Sequence, residues 1–237
     1  MLGRFNVTGT ERPGLLKVDA TGNVQWTKTY ASSEAETLAL YTLISTNDEG
    51  YAMTGEMRYT ISDVVMQNGW FVKTDANGDL QINRPFAMEG WTVLYSVAQA
   101  NDGHYMLVGA TTDSASNPYA ACIIYTDSDG HSQWSHINAT LTDHKMPPIN
   151  STSFQYYSIA KTTNGNFVII GYLNDAGIVS LSIKGDSKMT LLEIFGGNVI
   201  TNKVNYVIPV IQGEYAYIGY RDGAIQVLEK YVNITDR

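Results

Sequence analysis

The chain has 237 residues, enough for one large domain or two small ones, and is 44% apolar with only 16% charged residues. Its 15 Lys and Arg against 23 Asp and Glu leave a net charge of −8, which offers no cationic footprint to a nucleic-acid backbone or an anionic membrane. One cysteine, Cys122, excludes an internal disulfide and a multi-cysteine metal cluster, and no stretch approaches the ~18 apolar residues of a spanning helix.

In chain order the pattern is one of short strands and tight corners. Residues 3–9 (GRFNVTG) predict a strand that lines up with 103–109 (GHYMLVG), and 15–26 (LLKVDATGNVQW) predict a hairpin. Residues 41–55 (YTLISTNDEGYAMTG) predict a second hairpin, with alternating apolar residues on either side of an Asn-Asp-Glu-Gly corner. The same pair of hairpins returns at 71–82 (FVKTDANGDLQI) and 95–109 (YSVAQANDGHYMLVG), then at 123–134 (IIYTDSDGHSQW) and 157–171 (YSIAKTTNGNFVIIG). It fades towards the end: 181–192 carries Lys188 in place of the corner glycine, 206–219 (YVIPVIQGEYAYIG) keeps a hairpin, and 225–230 keeps one strand. Gly9, Gly55, Gly109, Gly171 and Gly219 close the successive units about 50 residues apart.

A unit of that length holds four short strands and little else. Repeated about five times, it specifies an all-β fold: a β-propeller of about five four-stranded antiparallel blades, read as one domain over 1–237. The units are 1–30, 38–87, 93–138, 155–196 and 204–237. With strands A to D numbered outward from the axis, the count is three in the first unit, four in each of the next three and three in the last, eighteen in all. The tail from Tyr231 to Asp236 fits either the last blade's outer strand or the first blade's missing inner strand, and an incomplete piece of a larger ring is a third possibility. A start in mid-repeat suggests that an upstream segment, with any signal peptide, precedes Met1.

The recurring Y-S-V-x-x-x-x-D-G-x-Y-x-x-x-G-x-T followed by W-x-V-K-T-D-x-x-G-x-x-x-W resembles a repeat of propeller domains in archaeal and bacterial cell-surface proteins, distantly similar to kelch repeats. That resemblance implies an extracellular or cell-surface location and a binding role. It carries no catalytic residue across, because the shared positions build turns and packing.

In a propeller the A–B and C–D corners emerge on one face and the B–C and D–A connections on the other. The first set is short throughout. The second is long and irregular, at 57–69, 111–119, 138–155 and 196–205, which makes that face the expected place of any binding site. Candidate contact residues there are Tyr59, Trp70, Trp91, Tyr119 and Tyr156, whose rings could stack on sugars or fill blade interfaces, and His144, in a loop that could wall a ligand pocket or partner contact. Asn6, Asn138, Asn150 and Asn233 are Asn-x-Ser/Thr acceptors, against about three expected by chance placement, so the count is no evidence for glycosylation.

Asp75, Asn77 and Asp79 superficially match a calcium loop. Leu80 and Phe86 stand where it needs Gly and Glu, so these carboxylates are expected to bond their own turn. His104, His131, His136 and His144 form no ligand set, Cys122 reads as a small buried hydrophobe, and neither metal nor cofactor is expected. The sequence thus points to a non-enzymatic extracellular or cell-surface propeller, a scaffold for a protein partner or for neighbouring copies of itself. A lectin-like glycan binder is the alternative, and a hydrolase or lyase on the axis the second alternative.

Overall fold

The computed structural model describes residues 1–33, 35–88, 90–112, 120–137, 154–161, 165, 167–173, 177–183, 189–195, 203–209, 215–221 and 224–230. Among these there are eighteen strands, in five antiparallel sheets whose spatial order follows the chain. The first sheet holds β1 (Leu2–Val7), β2 (Thr10–Val18) and β3 (Val24–Thr29). The second holds β4 (Thr37–Ser45), β5 (Tyr51–Ile61), β6 (Val64–Thr74) and β7 (Leu80–Phe86). The third holds β8 (Thr92–Gln99), β9 (Tyr105–Thr111), β10 (Ala120–Thr126) and β11 (Ser132–Ile137). The fourth holds β12 (Phe154–Lys161), β13 (Phe167–Leu173), β14 (Gly177–Ile183) and β15 (Met189–Phe195), and the fifth β16 (Lys203–Pro209), β17 (Tyr215–Arg221) and β18 (Ala224–Lys230).

The sheets stack face to face. Inner strand β8 packs against β4 on one side and β12 on the other, and β12 packs against β16, which is the arrangement of propeller blades about an axis. The middle strands are therefore apolar on both faces, and successive residues enter different interfaces. Tyr105 and Leu107 pack with Phe71 and Leu94 between the second and third sheets. Met106 and Val108 pack with Ile159 and Phe167 between the third and fourth. Leu15, Met53, Trp70 and Val72 fill the gap between the first and second. Each fully buried apolar side chain here contributes about 2–3 kcal/mol of transfer free energy. Cys122 lies in the first of these layers, between the second and third sheets, and burial pushes its thiol up to about 12, so it serves as packing.

The recurring glycines fall into two classes. Gly22, Gly78 and Gly130 have φ of 90°, 78° and 77° and close the C–D corners. Outer-strand side chains of the preceding blade rest on two of them, Trp26 over Gly78 and Ile82 over Gly130. Gly55 and Gly109 do something different, since a Cβ there would stand 1.8 Å from the Ala39 carbonyl oxygen and 1.9 Å from that of Val93. In both places the partner strand bulges at its next residue, and the missing side chain lets the two backbones meet.

Two expectations change. Gly9 does not hold the position of Gly55 and Gly109. The register Leu2↔Leu15 and Gly3↔Gly14 makes Gly3 their counterpart, while Gly9, at φ 85°, occupies the tight turn between β1 and β2. Residues 57–69 are not an irregular loop either: β5 and β6 stay paired from Tyr51↔Thr74 to Ile61↔Val64. The segments 113–119, 138–153 and 196–202, and the tail 231–237, lie outside the described residues.

Candidate functional site

Of the residues singled out by sequence, Trp70 and Tyr156 are fully buried at 0% exposure. The Trp70 indole Nε1 donates to Asn83 Oδ1 at 2.7 Å, and both rings serve blade packing, because middle and inner strands are covered on both sides. Tyr59 and Trp91 are partly exposed on the long-loop end. Tyr59 Oη accepts from Asn68 Nδ2 at 2.7 Å across the stem of the β5–β6 hairpin, and Trp91 Nε1 donates to the Val65 carbonyl at 3.2 Å, close to its tip. Tyr119 and His144 lie outside the described residues. Of the glycosylation acceptors, Asn6 is exposed with its Oδ1 accepting from Gly9 N at 2.9 Å, and Asn138, Asn150 and Asn233 lie outside the described residues.

Among the described residues, the most extended element at the long-loop end is that hairpin. β5 and β6 have 11 residues each, whereas the equivalent β9 and β10 have 7. Four extra residues per strand carry the tip about 13 Å further. Ser62 and Asp63 make the two-residue turn with φ of 49° and 64°, the backbone that matches strand twist in a tight hairpin. The tip is apolar, with Ile61 and Val64 58% exposed, Val65 47% and Met66 38%. Its stem is polar: buried Glu56 takes Arg58 at 2.9 Å and Gln67 Nε2 at 3.0 Å, and Thr60 Oγ1 donates to Glu36 Oε2 at 3.2 Å.

A second feature lies on the axis. The inner strands β4, β8 and β12 each bulge at one residue opposite their partner strands, and the extra residues are Tyr41, Tyr95 and Tyr157. A bulge re-aims the side chain it inserts. Here three rings stand in a row, with centroids 5.9 Å apart from Tyr41 to Tyr95 and 5.1 Å from Tyr95 to Tyr157. The hydroxyls of Tyr95 and Tyr157 both donate to Gln155 Oε1, at 3.3 and 3.0 Å. Burial, and next the Glu56 carboxylate, push the Tyr41 phenol up to about 12, so it stays a neutral donor. These rings line a concavity of about 750 Å³ that runs along the three inner strands towards Asn47, Gln99 and Lys161 at the short-turn end.

Sequence reading missed both features as sites. The tyrosines were visible as the first residue of the hairpin motif in the second, third and fourth repeats, 14 residues before its glycine, but the bulge that aims them is a property of strand register. The fifth sheet bulges at Asn205 instead. The apolar tip was hidden because Ser62-Asp63 lacks the Gly or Asn that announces such a turn.

The corners at the short-turn end satisfy themselves. Asp75 Oδ1 accepts from the amides of Asn77 and Asp79, both at 2.8 Å, and Asp127 Oδ1 from those of Asp129 and His131, at 3.0 and 2.8 Å. Asp19 does the same for Thr21 and Asn23. Bonds from the Thr21 hydroxyl first, then from the Asn23 amide, bring the Asp19 carboxyl down to about 2.

No protein-family model matches the chain, and no curated protein sequence matches it. Among solved structures it is similar to a protein of unknown function from Bacteroides caccae, 9% identical, over 98% of this chain and 72% of that one, with TM-score 0.51. It also aligns with Drosophila Semaphorin 1a, extracellular domains 1-2, at 8% identity over 96% of this chain and 64% of that one, TM-score 0.48. Drosophila Plexin A in complex with Semaphorin 1b aligns at 8% identity over 92% and 62%, TM-score 0.46. The chain spans less than two thirds of the two Drosophila chains. The first likeness is one of fold alone.

Proposed function

We propose that this chain is a non-enzymatic extracellular propeller that serves as a scaffold for a protein partner or for neighbouring copies of itself, engaged through the long-loop end. The observation that carries this reading is the projecting β5–β6 hairpin, with Ile61, Val64, Val65 and Met66 exposed together at its tip. Apolar side chains clustered on a protrusion, above a rim of Arg58, Glu36 and Thr60, have the make-up of a contact patch: an apolar centre with polar surroundings. The resemblance of the repeat to cell-surface propellers supports the extracellular location. The binding reading is supported further by the turn carboxylates Asp19, Asp75 and Asp127, which spend their oxygens on their own amides rather than on a reacting group. Glycan binding, the second reading, is favoured by the axial tyrosines and is taken up below.

The test is chemical cross-linking of the full chain, with mass spectrometry, in the presence of surface proteins of its source cells. Cross-links concentrated at 59–66 are expected. Cross-links concentrated at the corners around Thr21, Asn77 and Asp129 would overturn the assignment.

A further inference from the structure

We propose that the axial concavity is a binding site for a neutral saccharide, held against the tyrosine ladder Tyr41–Tyr95–Tyr157. The inference is independent of the hairpin and of any protein partner. Four observations carry it. The volume, about 750 Å³, falls within the ~300–1,000 Å³ of small-ligand sites. Three aromatic rings are delivered to it by three bulges at equivalent positions, and each bulge interrupts a strand pairing.

The third observation concerns the backbone. Among the described residues β4, β8 and β12 each pair in their sheets on one side only, with β5, β9 and β13, so their other edges bring main-chain N–H and C=O groups towards the axis, of which the Ile159 amide already donates to Ser96 Oγ at 3.4 Å. A purely apolar ligand would strip water from those groups without replacing it, at a cost of ~1–3 kcal/mol each. A ligand with hydroxyls on every side can donate to the carbonyls and accept from the amides.

The fourth is charge. Lys161 is the one ionic side chain among the described residues that line the concavity, and its Nζ already donates to Asn101 Oδ1 at 3.0 Å. Glu56, below Tyr41, is matched by Arg58 and Gln67. No arrangement of charge awaits an anion or a cation. A pyranose ring fits all four: its C–H face lies on a tyrosine ring, its hydroxyls meet strand edges and the side chains of Asn47 and Gln99, and it carries no net charge.

The experiment uses the full chain and a panel of neutral mono- to tetrasaccharides, read by saturation-transfer NMR and titration calorimetry. At least one member is expected to bind with Kd below about 1 mM. Tyr95→Ala, which removes the central ring of the ladder, should weaken it about tenfold or more, while Tyr95→Phe, which keeps the ring, should stay within about threefold. Val64→Asp, at the remote hairpin, should leave it unchanged. If Tyr95→Ala proves unfolded by circular dichroism, half-exposed Tyr41→Ala takes its place, with a loss of about threefold or more expected. A panel without a binder, binding indifferent to the loss of these rings, or binding abolished by Val64→Asp would overturn the proposal.

Discussion

The two ends of this propeller are made by the same strands and present opposite kinds of surface. At the short-turn end each described corner closes in a few residues, bonds its own amides, and surrounds a concavity of rings and strand edges. At the other end β5 and β6 overrun their neighbours and push four apolar side chains into solvent. Regular repetition leaves an axial hollow, suited to a small molecule, wherever inner strands line up. A departure from it makes a protrusion, suited to a large partner.

The sharpest contrast is between two tryptophans. Trp70→Ala empties a fully buried site and removes the bond to Asn83 Oδ1, and should cost about 3–5 kcal/mol in urea unfolding. Trp91→Ala removes a partly exposed ring and one hydrogen bond to Val65, and should cost about 1 kcal/mol. Equal losses would mean that the long-loop end is as structural as the blade interfaces.

Next comes a pair of glycines. At Gly109 an added methyl group would meet the Val93 carbonyl, so Gly109→Ala should destabilise by about 3 kcal/mol through displaced backbone. Gly9→Ala meets nothing within 4 Å and pays only for its positive φ, about 1 kcal/mol. Denaturant midpoints of the two variants would order these costs, and a reversed order would break the bulge-and-glycine account.

The smallest effect is acid sensitivity. Asp19 in the folded chain titrates at about 2, below the ~3.9 of an unfolded aspartate, and Asp127 is lowered as well, chiefly by the His131 amide. A carboxyl with a lowered folded pKa contributes stability above its unfolded pKa and loses it as pH falls through the folded one. The midpoint should therefore hold from neutrality to about pH 5 and decline between about pH 4 and 2, with a shallower decline in Asp19→Asn. An unchanged slope in that variant would remove the corner from the account.

The strand count, the five sheets and the corner chemistry were legible because Asx/Gly turns between alternating runs recur with one meaning. What was hidden lies in register and burial. Residues 3–9 match 103–109 in composition, yet the pairing Leu2↔Leu15 shifts the strand by six residues and turns Gly9 into a corner. Trp70 could not be recognised as interior, because every residue of β6 from Gln67 to Thr74 is buried and alternation no longer separates two faces. Val64-Val65-Met66 has strand chemistry, but without a turn signal ahead of it the hairpin merged into an expected loop.

Affinity for a captured partner, compared between Val64→Asp and Thr21→Ala, sets one end of the ring directly against the other. The hairpin variant should lose about tenfold or more, and the corner variant should remain within about twofold of the parent chain. Equal affinities, or a loss confined to Thr21→Ala, would contradict the claim that the long-loop end is the contact surface.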